Sequence, residues 1–96
     1  MNYFEDKENI AENIKYYRKK KAWSQEKLAE KVGCHRTYIG GIEQMRLNPT
    51  VESLSRIAQT LNVTLVMLLI HPNERQVLDK LTEIFHYSIV KIGEDK

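Results

Sequence analysis

Cysteine is almost missing from this chain. Cys34 stands alone among 96 residues, which excludes an internal disulfide and fits a reducing compartment. Long apolar runs are missing too. Residues 63–70 are almost wholly apolar, but that is far short of the ~20 residues a bilayer requires. The acidic start, MNYFEDKENI, has no apolar stretch of the kind a signal peptide carries. There is no internal repeat, low-complexity tract or long linker. No glycine-rich phosphate loop, nucleophile elbow or closely spaced carboxylate pair occurs. His35, His71 and His86 are far apart, and Cys34 and His35 are adjacent rather than spaced as metal ligands. These absences predict a cytoplasmic protein that is not an enzyme and has no metal, cofactor or membrane association. The length allows one modest core and leaves no room for a separate small-molecule domain.

What is present is charge in the right place. Residues 1–9 carry a net −2, residues 10–50 carry nine basic and four acidic groups for +5, and residues 51–96 carry −1. The basic excess sits where phosphate attraction would use it. Lys19, Lys20 and Lys21 equally suit the negative end of a first helix, and both roles remain open.

The periodicity is helical throughout. A first helix spans about residues 8–21, with Ile10, Ile14 and Tyr17 along one face. Residues 25–44, QEKLAEKVGCHRTYIGGIEQ, read as two short helices around a tight turn. Ser24 can N-cap the first of them, residues 25–32, where Leu28, Ala29 and Val32 form the buried stripe. Gly33 supplies the corner, since it tolerates a positive φ. The second, about residues 35–44, turns Ile39 and Ile42 inward and leaves His35, Arg36 and Thr37 at its exposed start. Thr50 caps a fourth helix with Leu54, Ile57, Ala58 and Leu61 inward, Asn62 ends it, and Thr64 starts a short fifth helix to about Ile70. Pro72 breaks the chain, and Asn73 with Gln76 offers a capping box for a sixth helix.

This pattern resembles the helix–turn–helix of phage repressors and the wider Xre/Cro-like family of bacterial regulators. A small residue stands four before the turn glycine (Ala29), apolar residues stand six and nine after it (Ile39 and Ile42), and Ser24-Gln25 opens the first motif helix. The likeness covers residues 10–70, and RTYIGGIE, residues 36–43, resembles the controller proteins of restriction–modification systems. It implies an all-α, five-helix, phage-repressor-like domain over residues 10–70. Residues 1–9 form an N-terminal extension, and residues 71–96 an extra C-terminal helix. The implied function is a sequence-specific transcriptional regulator that binds double-stranded DNA as a homodimer on a palindromic operator.

The resemblance and the chemistry together nominate a DNA-binding set. Arg36 can donate two hydrogen bonds to guanine O6 and N7. Thr37 suits a thymine methyl or a phosphate, and His35 a phosphate or base edge. Gln25 opens a helix whose free N–H groups favour phosphate, and its amide can donate as well. Tyr38 and Arg46 are further backbone contacts, which set register rather than sequence. The resemblance also places Arg18 against Glu43 as an ion pair. Gly40 and Gly41 either let the helix press close to DNA or serve helix packing. Gly41 lies one turn past Thr37, where phage repressors often place a base-reading side chain.

Two departures bear on affinity. The loop Gln44-Met45-Arg46-Leu47 lacks two basic residues common in relatives, and Ala22 stands where relatives often have glycine. Helix 5 is apolar on nearly all sides, and residues 77–92 add an apolar stripe. Either the sixth helix folds back over the fifth, or a second copy covers both. The homodimer reading uses Leu65, Val66, Met67, Leu69, Leu81, Ile84 and Phe85. An alternative from another class is an antitoxin or interaction module whose last helix binds a different protein.

Overall fold

The charges that flank helix α1, Tyr3–Lys20, explain its length. Glu5 and Asp6 lie in its first turn and Arg18, Lys19 and Lys20 in its last, each complementing the helix dipole. The computed structural model describes residues 3–77 together with Lys80, Leu81, Glu83 and Ile84, with side chains from Glu5 onward. The helix begins five residues before the periodicity indicates, so most of the anticipated extension over residues 1–9 is continuous with α1. The acidic residues that made this segment look separate are good first-turn residues.

Four more helices follow, each started by a side-chain cap. Helix α2 is Gln25–Val32, with the Ser24 hydroxyl accepting from Lys27 N at 3.0 Å. Gly33 ends it at φ 88°. Helix α3 is Arg36–Glu43, α4 is Val51–Leu61 and α5 is Leu65–Leu69. Thr50 Oγ1 accepts from Ser53 N at 3.0 Å and Thr64 Oγ1 from Met67 N at 3.2 Å. Asn62 closes α4 in the left-handed conformation, at φ 61°. Among the described residues the secondary structure is wholly helical. Ile14, Tyr17, Leu28, Ile39, Ile42, Leu54, Ile57, Leu61 and Leu68 meet in one core, to which every helix contributes. Burying side chains of this size stabilises the fold by about 1.5–3 kcal/mol each.

After α5 the capping differs from the expectation. Asn73 does not cap a helix. It lies inside a short 3-10 turn, Pro72–Glu74, and it is His71 Nδ1 that accepts from Asn73 N at 3.0 Å. Residues 75–77 then continue as helix, as do Lys80, Leu81, Glu83 and Ile84.

Asn13, fully buried within α1, holds this end of the molecule. Its Nδ2 donates to Leu68 O at 3.0 Å and Ile70 O at 2.7 Å, the carbonyls that a short helix leaves without partners. Its Oδ1 accepts from Arg75 Nη2 at 2.8 Å, and the Arg75 guanidinium lies 3.7 Å from the Tyr16 ring centroid. The segment after α5 is therefore tied to α1.

Helix α5 is not uniformly available to a partner. Met67 is 6% exposed and belongs to the core, so it does not serve the dimer surface assigned to it from sequence. Its sulfur accepts from Thr64 N at 3.4 Å, which turns the side chain inward. Leu65 is half-buried against the same core. Val66 and Leu69 are 55% and 42% exposed, and Val77, Leu81 and Ile84 are exposed as well. Phe85 lies outside the described residues.

Ala22 adopts φ 58°, a left-handed conformation costing an L residue about 1–2 kcal/mol. Replacing it with glycine relieves that strain. Ala22→Gly is expected to stabilise the protein by about 1 kcal/mol and raise its melting temperature by roughly 4–8 °C, measured by thermal unfolding.

Candidate nucleic-acid interface

The exposed start of α3 is built from His35, Arg36 and Thr37. His35 is the N-cap, not the first helical residue: its Nδ1 lies 3.1 Å from Thr37 N and 2.7 Å from Thr37 Oγ1. Nδ1 accepts from both, which places the ring proton on Nε2 and leaves that N–H as a donor. Arg36 is exposed, and no hydrogen bond or ion pair engages its guanidinium among the described residues. A fork of donors stands free at the tip of a helix start.

Behind that tip the helix is locked to the domain. Arg18 Nε donates to Glu43 Oε2 at 2.7 Å and Arg18 Nη2 to Glu43 Oε1 at 2.9 Å, a bidentate pair whose side chains are 10% and 4% exposed. Arg18 Nη1 donates to Trp23 O at 2.8 Å. The guanidinium thus joins α1, the turn before α2 and the end of α3.

Gln25 belongs to this cluster more than to the surface. Its Nε2 donates to Glu43 Oε1 at 3.2 Å, so the amide expected to meet a phosphate is turned inward. What α2 offers outward is its first N–H groups, at Gln25 and Glu26, ahead of the Lys27 N–H that Ser24 caps. Gly40 explains the close approach: a Cβ there would come within 3.3 Å of Gln25 Oε1. Gly41 is likewise a packing glycine, buried beneath Leu47. Of the two roles open to these glycines, packing is the one the structure displays.

Tyr38 is half-buried against the core, and Arg46 is exposed on the loop after α3. Thr37, Tyr38 and Arg46 line one depression on α3, Arg36 stands at the start of the helix, and Gln25 meets its far end at Gly40 and Glu43. Trp23 is half-buried, with Lys21 and Lys31 each near its ring at 5.2 and 5.0 Å. Burial pushes the Cys34 thiol above its ordinary range, and the nearby Arg56 guanidinium partly offsets that. Cys34 packs against the core. Among the described residues no three His, Cys, Asp or Glu side chains cluster to hold a metal ion, and no helix is long and apolar enough to cross a membrane.

Asn13 and Leu47 are the two residues of consequence that the sequence did not single out. An asparagine beside Ile14 on an otherwise apolar face was a usable signal for the first. For Leu47, the missing side chain at Gly41 was the signal.

Residues 14–68 match the helix-turn-helix family model. The chain is 38% identical over 66 residues to a hypothetical transcription factor of Neisseria meningitidis, covering 69% of this chain and 62% of that protein. The crystal structure of the Neisseria factor superposes with a TM-score of 0.74 at 33% identity, over 81% of this chain and 90% of that one. Control protein C.SmaI of Serratia marcescens is 46% identical over 63 residues, 66% of this chain and 75% of that protein. SinR of Bacillus subtilis is 35% identical over 68 residues, 70% of this chain and 61% of that protein. A structure of SinR in complex with DNA gives a TM-score of 0.60 at 37% identity, covering 64% of this chain and 98% of that one.

Proposed function

Since the chain belongs to the helix-turn-helix family, in its Xre/Cro-like branch of regulators, we propose that it is a sequence-specific DNA-binding transcriptional regulator. It acts as a homodimer on a palindromic operator, in the cytoplasm on nucleoid DNA, by binding and without enzymatic turnover. The observation that carries this reading is the free Arg36 fork at the start of a helix whose far end is clamped by Arg18 and Glu43. A reader must be exposed and its mount rigid. The basic excess over residues 10–50 supplies the phosphate attraction.

The likeness to controller proteins points to control of the protein's own gene and a neighbour. The test is footprinting on DNA from upstream of that gene. A protected inverted repeat is expected, and uniform cleavage at saturating protein contradicts autoregulation.

The dimer reading rests on Val66 and Leu69, which leave a partly exposed apolar strip on α5. An isologous interface would set this strip against the same strip of a second copy. Val66→Lys combined with Leu69→Lys is therefore expected to yield a monomer by sedimentation and to lower operator affinity by about 10²-fold, as the second half-site no longer binds intramolecularly. A dimer that survives the double change places the interface elsewhere. The exposed Val77, Leu81 and Ile84 suit a second copy and also a second reading, an antitoxin-like module that binds a different protein. A wild-type monomer that acquires its order only with another chain would support it.

A further inference from the structure

The loop after α3 supplies something to the recognition helix that the helix's own side chains do not. Gly41 lies one turn beyond Thr37 on the same row. A Cβ at Gly41 would fall 2.5 Å from Leu47 Cδ1 and 2.8 Å from Leu47 Cγ. Leu47 fills the space from which a side chain at position 41 would project. The backbone holds it there: Met45 turns the chain at φ 62°, and Arg46 N and Leu47 N donate to Gly41 O at 2.8 and 3.2 Å.

Leu47 is nonetheless 40% exposed, an apolar group beside Thr37, Tyr38 and Arg46. Beside it lies an open depression of about 390 Å³, lined by Thr37, Tyr38, Gly41, Arg46 and Leu47. The Thr37 hydroxyl donates to His35 Nδ1 at 2.7 Å, and the Thr37 methyl group adds to the apolar surface beside Leu47. The depression has an apolar floor, and Arg46 beside it is placed for a phosphate.

We propose that this depression receives the C5-methyl group of a thymine in the major groove, making Leu47 a specificity-determining residue alongside Arg36. The inference rests on the DNA-binding reading above. Thymine is the base that presents a methyl group in that groove, and the apolar surface of Leu47 selects it by contact. Arg36 would then read by hydrogen bonds and Leu47 by shape, on one helix face.

The test uses the tightest duplex selected from a random pool, with each thymine replaced in turn by uracil, which removes only the methyl. One position per half-site is expected to lose about fourfold in affinity, the value of one buried methyl-sized group. Leu47→Ala, which leaves the helix and its caps intact, should bind the thymine and uracil duplexes equally at that position. If the parent duplex binds tightly and no uracil matters, the methyl pocket is wrong and the regulator reading stands. A uracil effect that persists in Leu47→Ala overturns the role of Leu47. Failure to bind any duplex selectively overturns both readings.

Discussion

Glu43→Ala is expected to lower the unfolding free energy by about 3–5 kcal/mol, the cost of leaving a buried charge without its partner. Arg18 is the charge in question. Its side chain is only 10% exposed, and after the change the hydrogen-bond partner left to it among the described residues is the Trp23 carbonyl. The Gln25 amide loses its acceptor at the same time. For a domain of this size the melting temperature should fall by at least about 12 °C. Removing both charges with Arg18→Met and Glu43→Leu should recover most of the loss, because a buried pair is often replaced by apolar residues at little cost. A fall below about 1 kcal/mol in the single variant would mean that water screens the pair as it does at a surface. DNA affinity should drop in the single variant even where it remains folded, since the end of α3 loses its fixed mount.

Arg36→Ala should act on binding and leave stability unchanged, because Arg36 is exposed and unpartnered among the described residues. A bidentate contact to guanine accounts for about 1–3 kcal/mol, or roughly 5–150-fold in affinity per half-site. The loss should be confined to one base position, measured by titration against a panel of single-base operator variants. Neutralising a phosphate-facing lysine would instead weaken binding to all of them alike. An equal loss across the panel would make Arg36 a clamp and remove it as a reader.

The features that sequence disclosed are those decided by neighbours in the chain. Ser24, Thr50 and Thr64 are caps because a hydroxyl reaches an N–H two or three residues on, and Gly33 and Asn62 mark left-handed ends for equally local reasons. His35 and His71 were missed as caps, since histidine is not among the common capping residues, although its Nδ1 accepts from an N–H in the same way. Asn13 could be flagged only as a polar residue on an apolar face, because the acceptors that explain it lie 55 and 57 residues away. Met67 was placed on the wrong side because LVMLL has no polar residue to define a face. The inward turn of Gln25 and the position of Leu47 over Gly41 depend on how α2 and the loop pack against α3. The exposed start of α3 was therefore legible, while the packing that positions it was not.

The most direct test of the central claim is selection from a random duplex pool with purified protein at moderate salt, followed by sequencing. An enriched inverted repeat is expected, with half-site centres about one helical turn, or ~34 Å, apart. Weak, salt-sensitive binding with no enriched sequence would contradict it, leaving only nonspecific phosphate attraction at this face.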